Sequence, residues 1–430
     1  RDRNHPSIIQ WSIGNEIEWT YPRYSQSAGY WNNDNSESKK VSYYWDEPPF
    51  TEKESKAIFN SLPVKGAVLS ETAKKLADWT REIDTSRPVT ANLVIPSVSH
   101  YSGYTDALDI VGYSYRQSVY EYGHAHYPEK MIMGTENWVR WHEWKHVLDK
   151  AYIPGIFVWT GIDYLGESNG QWPKKGSSSG MIDFAGFVKP SYHMMKTIWS
   201  DTPHLAVTTQ TEKKSAYKAI PKTHFAVEKQ TGQWKKGKWG WQAVNTHWQY
   251  TDNEMVMVEV YSNVEEVELF LNNQSLGKQR LSDNPDSVLK WAVPYEKGKL
   301  TAKAIVDGRV IETSLTTAGK AYSISLTTDK VDLNADGYDV AHITAQVIDQ
   351  HGIPVTHLEE NITFTIEGDV KLLGVDNGDP SNIQKHLNNV LTTHKGRALL
   401  IVQSHKQNTD VTILARAEAL TSNALMLKTR

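Results

Sequence analysis

The chain has 430 residues, with 46 Lys and Arg against 50 Asp and Glu and a formal charge of -4. That length holds several domains, and the charge balance excludes the basic footprint of a nucleic-acid binder. Cysteine is absent, which excludes disulfides, thiolate metal sites and a cysteine nucleophile.

The elements before residue 205 read as repeated βα units, short apolar runs alternating with helix patterns. Ser7–Ile13 is a buried-type strand that stops at Gly14. Residues 17–69 form a long insertion carrying Trp19, Tyr21, Tyr24, Tyr30, Trp31, Tyr43, Tyr44, Trp45 and Phe50, expected to be an ordered aromatic lid. Ser70 is placed to cap a helix with Ala73, Leu76, Trp79 and Ile83 on one face. Val89–Leu93, Leu108–Tyr113, Lys130–Thr135 and Gly155–Trp159 follow as strands. Between the last two, a helix is expected with Trp138, Trp141, Trp144 and Val147 in register, and Tyr192–Trp199 closes the region with another. Each strand ends in polar or aromatic residues, and in a barrel that C-terminal face carries the active site.

A complete (β/α)8 barrel takes about 250 residues. Five strands before residue 205 supply only its C-terminal part, so the first three strands are expected to lie outside this chain. Residues 206–239 read as a Lys- and Trp-rich linker; its 212–238 stretch holds eight Lys and two Glu, a solvated edge or a polyanion-binding patch. After residue 240 helix patterns almost vanish. Asn272-Asn273, Asp307-Gly308, Asp336-Gly337 and Asp376–Pro380 separate alternating strands. Residues 240–318 and 319–430 are therefore expected to form two immunoglobulin-like β-sandwiches. The fold class is multidomain: the C-terminal part of a TIM barrel, residues 1–205, followed by two sandwiches.

Glu16 and Glu136 sit just past predicted strand ends on one barrel face. Paired carboxylates flanking a bond are what glycoside hydrolysis requires, one protonated to donate and one ionised to attack or to activate water. The 16 residues Arg-Asp-Arg-Asn-His-Pro-Ser-Ile-Ile-Gln-Trp-Ser-Ile-Gly-Asn-Glu, from Arg1 to Glu16, closely resemble the acid/base segment of glycoside hydrolase family 2, which contains β-galactosidases, β-glucuronidases and β-mannosidases. Met131–Glu136 is similar to the strand that delivers that family's nucleophile. The resemblance implies that Glu16 is the acid/base, Glu136 the nucleophile and Asn15 the partner of the sugar 2-hydroxyl in a retaining mechanism. It further implies Trp159 as the platform beneath the sugar and Tyr115, or alternatively Tyr113, as the tyrosine on the nucleophile. Asp163 and Glu167 lie where a sugar hydroxyl would be read, or cap a loop. Gly161–Glu167, Gly180–Phe187, Val267–Gly277 and Leu373–Pro380 look like the large bacterial β-galactosidase branch, so the resemblance covers nearly the whole chain.

Family glucuronidases hold the substrate carboxylate with an Asn-x-Lys word, and Ser177–Gly180 offers neither residue here. A carboxylate buried without a cation carries a large desolvation cost, which favours galactose, released from oligosaccharides or polysaccharides, algal galactans among them. Lys174 and Lys175 keep a β-glucuronide open, and a non-catalytic carbohydrate-binding protein is the reading from another class. His5 precedes its strand and reads as structural. His124 and His126 do not make a metal site, the Asp376–Asp379 turn reads as a turn rather than a calcium loop, and no metal or cofactor is expected. Carbohydrate is the expected partner, with the missing N-terminal part completing the barrel and a homo-oligomer compatible; nucleic acid and membrane are not expected. Fifteen of 16 Trp precede residue 250, as a cleft of flat rings stacking on sugar faces would require. A periplasmic or secreted setting fits that substrate class.

Overall fold

A computed structural model describes residues 2–29, 50–66, 68–236 and 241–430. The expected lid aromatics Tyr30, Trp31, Tyr43, Tyr44 and Trp45 lie outside the described residues. The chain falls into two compact units, Arg1–Trp159 with Trp234–Trp239, and Thr160–Gln233 with Gly240–Arg430.

The first unit is built on five parallel strands in sequential order: β1 (Trp11–Asn15), β2 (Val89–Leu93), β3 (Ile110–Ser114), β4 (Met131–Trp138) and β5 (Ile156–Trp159). Parallel neighbours need crossovers, and helices Leu69–Ile83, Pro96–Tyr101, Tyr120–His126 and Trp141–Asp149 lie in the connections. The central strands carry the core: Val89, Ala91, Leu93, Val111 and Tyr113 are fully buried. β1, with no residue fully buried, is the end strand of this order and pairs with β2.

Two helical faces differ from expectation. Helix Leu69–Ile83 starts one residue before Ser70, has no side-chain cap, and buries Leu69, Ala73 and Ala77. Spaced four apart, those residues form one stripe, and two alanines let the helix approach closely. Trp79 and Ile83 are exposed. Trp138 ends β4 rather than entering a helix, and helix Trp141–Asp149 buries His142 and Glu143.

The described part of the 17–69 insertion is ordered. Pro22–Ser27 and Glu52–Ser61 are helices. Thr51 and Glu54 form a capping box, Thr51 N–H donating to Glu54 Oε2 at 2.8 Å and Glu54 N–H to Thr51 Oγ1 at 3.3 Å. Arg23 lies 3.9 Å over the Phe59 ring and donates to the Phe59 carbonyl.

In the second unit the chain between Thr160 and Trp199 forms a short hairpin, Tyr164–Leu165 with Gly176–Ser177, and helix Pro190–Trp199. Two pairs of antiparallel sheets follow. Leu205–Thr211, which overlaps the start of the expected 206–239 linker, pairs along Met255–Ser262, which also pairs with Leu289–Pro294. This sheet shares one core with the sheet of Glu266–Leu271, Gln274–Arg280, Lys299–Val306 and Arg309–Thr316. Trp248 and Trp291 fill that core, fully buried, and donate to the carbonyls of Glu296 and Gly277. Burial of the ring with a partner for its N–H accounts for Trp248, which the sequence left unexplained. Asp307 and Gly308 both have positive φ, as a tight two-residue hairpin requires. The second pair of sheets spans Ala321–Thr429 around a core of alternating residues such as Ile343, Ala345 and Val347 facing Phe364, Val411 and Ile413. The Thr160–Trp199 segment is tied to this pair: Arg397 meets Asp183 at 3.3 Å, and Lys175 N–H donates to the Pro380 carbonyl at 2.8 Å.

Candidate active site

Glu16 is the residue after β1, at the start of the 3-10 turn Ile17–Thr20, and adopts a left-handed conformation with φ 51. Such a conformation is uncommon for a residue with a side chain. It is held by Glu16 N–H donating to the Asn92 carbonyl at 2.8 Å. The Trp19 indole N–H reaches Glu16 Oε2 at 3.3 Å. Asn15 pairs in register with Asn92, whose amide donates to Asn15 Oδ1 at 2.9 Å. Two residues beyond Glu16, Glu18 is fully buried and accepts from the Ile95 N–H and the Ser99 hydroxyl. Burial pushes its pKa up to about 7 against those hydrogen bonds. It ties the turn that carries Glu16 to the start of helix Pro96–Tyr101.

Glu136 projects from β4. The Tyr115 hydroxyl donates to Glu136 Oε1 at 2.8 Å, and Tyr115 N–H donates to the Glu136 carbonyl at 2.6 Å. Tyr115 is buried and has φ 55. Arg116, also buried, braces that bend, its guanidinium donating to the Tyr115 carbonyl at 2.9 Å and to the Val94 carbonyl at 2.8 Å. Burial, then the charges of Glu136 and Glu16, push the Tyr115 pKa well above the ordinary tyrosine value. The phenol therefore stays protonated and donates.

Trp138, the last residue of β4, packs its ring 4.9 Å from that of Tyr115. Buried Asn137 donates to Glu143 Oε2 at 2.6 Å, and His142 Nε2 lies 3.1 Å from Glu143 Oε1. Gly134 makes room for this layer: a Cβ there would stand 2.5 Å from both Asn137 Oδ1 and the Tyr120 hydroxyl. Trp159 ends β5 in register with Trp138, half-buried.

Of the predicted site residues, β1, β3 and β4 thus bring Asn15, Glu16, Tyr115 and Glu136 to one end of the sheet. Tyr113 goes elsewhere: its hydroxyl meets buried His100 Nε2 at 2.7 Å, and its ring packs on Tyr120. Glu167 and Asp163 belong to the second unit. The Tyr164 hydroxyl donates to Glu167, while Asp163 pairs with Lys189 at 2.8 Å and accepts from Gly180 N–H. His124 stacks on Tyr152, and His126 Nδ1 meets the Tyr122 carbonyl. Asp376 and Asp379 accept backbone N–H groups of their own turn, from Gly378 and Ser381. Among the described residues no three His, Asp or Glu gather around a metal position.

Sequence reasoning passed over three residues that hold this site. Asn92 follows the same rule that singled out Asn15, a polar amide near a strand's C-terminal end. Trp19 was read only as lid. Arg116 follows Tyr115 directly, and its burial could be known only from the fold.

A family profile described as glycoside hydrolase family 2 C-terminal domain 5 matches residues 324–426, and a domain of unknown function (DUF4982) matches residues 253–312. A β-galactosidase of Bacteroides ovatus is 26% identical over 99% of this chain and 50% of its own length. A putative β-glucuronidase of Formosa agariphila is 25% identical over 88% of this chain and 34% of its own. Among solved structures, a glycosyl hydrolase family 2 member from Bacteroides cellulosilyticus is similar over the whole chain, with TM-score 0.75 and 28% identity, and the match covers 50% of that chain. A β-glycosidase from Bacteroides vulgatus shares the fold at TM-score 0.70 and 22% identity, over the whole chain and 52% of its own. The chain spans about half the length of these relatives or less.

Proposed function

The chain belongs to glycoside hydrolase family 2, and from that premise we propose that it is the part of a retaining β-glycosidase that carries both catalytic carboxylates. The observation that carries this reading is the Tyr115 hydroxyl on Glu136, with Glu16 following β1 at the same end of the parallel sheet. Residues 1–205 are read as the C-terminal part of a TIM barrel, with 17–69 as its insertion. Residues 240–318 and 319–430 are read as two immunoglobulin-like sandwiches. A preceding part of the same protein would supply the remaining barrel strands.

In the first step, an ionised Glu136 oxygen attacks the anomeric carbon. The bond to the leaving oxygen breaks, and Glu16 gives that oxygen its proton. In the second step, Glu16 takes a proton from water, the water oxygen attacks the same carbon, and the Glu136 ester bond breaks. Two inversions return the original anomeric configuration. Tyr115 keeps Glu136 from rotating and supports its charge. Asn15, held by Asn92, would meet the sugar 2-hydroxyl, and Trp159 would lie beneath the ring.

The proposed substrate is a β-galactoside at the end of an oligosaccharide or polysaccharide chain, algal galactans included. What supports galactose over a uronate is the sequence word Ser177–Gly180, which lacks the Asn-x-Lys of family glucuronidases. A β-glucuronide is the second reading, favoured by the named activity of the Formosa agariphila relative. The test is turnover of aryl β-galactoside and aryl β-glucuronide by the full-length protein and its Glu136→Ala variant. Loss of a covalent nucleophile should lower kcat on the order of 10^4-fold or more with folding intact. Retained turnover would remove Glu136 from the mechanism. Absence of turnover on every aryl glycoside by the folded parent would favour a carbohydrate-binding protein.

A further inference from the structure

The second unit holds a pocket of about 320 Å³ walled by Lys189, Asn245, His247, Gln346, Lys395 and Arg397, with Val188, Val244 and Pro354 between them. Its walls come from the start of helix Pro190–Trp199, the segment before Trp248, and strands and turns of the last pair of sheets. None of its lining residues is a carboxylate. Two of its three cations are already compensated from behind. Lys189 donates to Asp163 Oδ1 and to the Ser178 carbonyl, both at 2.8 Å, and Arg397 meets Asp183 at 3.3 Å while lying 4.0 Å over the Phe187 ring. Those bonds fix the two cations in place. Lys395 stands with φ 54 in the turn before strand Arg397–Ser404 and is exposed. No hydrogen bond or ion pair engages its ammonium among the described residues. His247, lowered by burial, adds a neutral ring.

Helix Pro190–Trp199 begins at this wall, and its N-cap Lys189 supplies no side-chain cap. The positive end of the helix adds to the same potential. Three lysine and arginine charges against Asp163 and Asp183 leave one positive charge, carried by Lys395. The size is that of a small-ligand pocket. Apolar patches beside amide, hydroxyl and cationic groups match a sugar ring that bears one anionic substituent.

We propose that this pocket binds an anionic sugar residue of a glycan through its carboxylate or sulfate group, with Lys395 as the principal charge partner and Arg397 and Lys189 as fixed neighbours. The inference goes beyond the catalytic reading and does not depend on it, because binding is measured without turnover. The experiment is calorimetric titration of the full-length protein with four probes: a sulfated galactan oligosaccharide, an oligogalacturonate, a neutral galactan oligosaccharide and sodium sulfate. At least one acidic oligosaccharide should bind more tightly than the neutral one, and added salt should weaken it. Lys395→Ala should raise that Kd about tenfold, Lys395→Arg should restore most of it, and neither should alter Tm or turnover of an aryl glycoside. The arm that binds tells sulfate from uronate. Equal binding of acidic and neutral oligosaccharides, an unchanged Kd in Lys395→Ala, or binding of sodium sulfate alone would each overturn the proposal.

Discussion

Tyr115 is the residue on which the site turns. It donates to Glu136 through its hydroxyl and is bent into a left-handed conformation that buried Arg116 braces. A hydrogen bond to a charged group contributes about 1.5–3 kcal/mol. Tyr115→Phe in the full-length protein should therefore lower kcat about 10- to 100-fold, with KM little changed. An unchanged kcat in steady-state kinetics would show that the bond is only structural. Glu18 makes a separate prediction. Its folded pKa of about 7 lies above the ordinary 4.5, so the folded state holds the proton more tightly than the unfolded one. Stability is then greatest below pH 4.5 for this group and falls as pH rises toward 7, by up to about 3 kcal/mol. Glu18→Gln keeps an oxygen for Ser99 and Ile95 but cannot ionise. Denaturant titrations should show the variant with a flatter pH dependence over that window and greater stability at pH 8 than the parent. An identical slope would show that Glu18 is ionised in the fold at neutral pH.

Among elements, the apolar runs were the most legible. Each of the five strands appears near its expected position, because buried parallel strands read as continuous Val, Ile and Leu runs. Helix faces were less legible. A stripe through Trp79 and Ile83 looks apolar by residue type, but close approach to the sheet selects the smaller stripe through Ala73 and Ala77. Leu205–Thr211 contains Thr-Thr-Gln-Thr and looks polar enough for a linker, yet its backbone pairs along all of Met255–Ser262. At the site, Glu16 and Glu136 could be singled out from strand ends and the words around them. Choosing between Tyr113 and Tyr115 could not be done from sequence, because the register shift between Tyr113 and Ser114 turns on hydrogen bonding to β4.

For the whole molecule, the tryptophan excess divides by task. Trp19 and Trp138 contact the candidate site, Trp248 and Trp291 are sandwich core, and Trp172 is largely exposed. Composition alone had assigned the excess to a sugar cleft. The chain spans half the length of its Bacteroides ovatus relative, and both proposed catalytic carboxylates lie within it. The central claim is that Glu136 forms a bond to the sugar. Incubation of the full-length protein with a 2-deoxy-2-fluoro-β-galactosyl fluoride, whose fluorine slows both steps while its leaving group favours the first, should trap the glycosyl-enzyme. Peptide mass spectrometry should then place one added fluorosugar on Glu136, and Glu136→Ala should take up none. A label on another residue, or release of the sugar with inverted configuration and no label, would contradict the account.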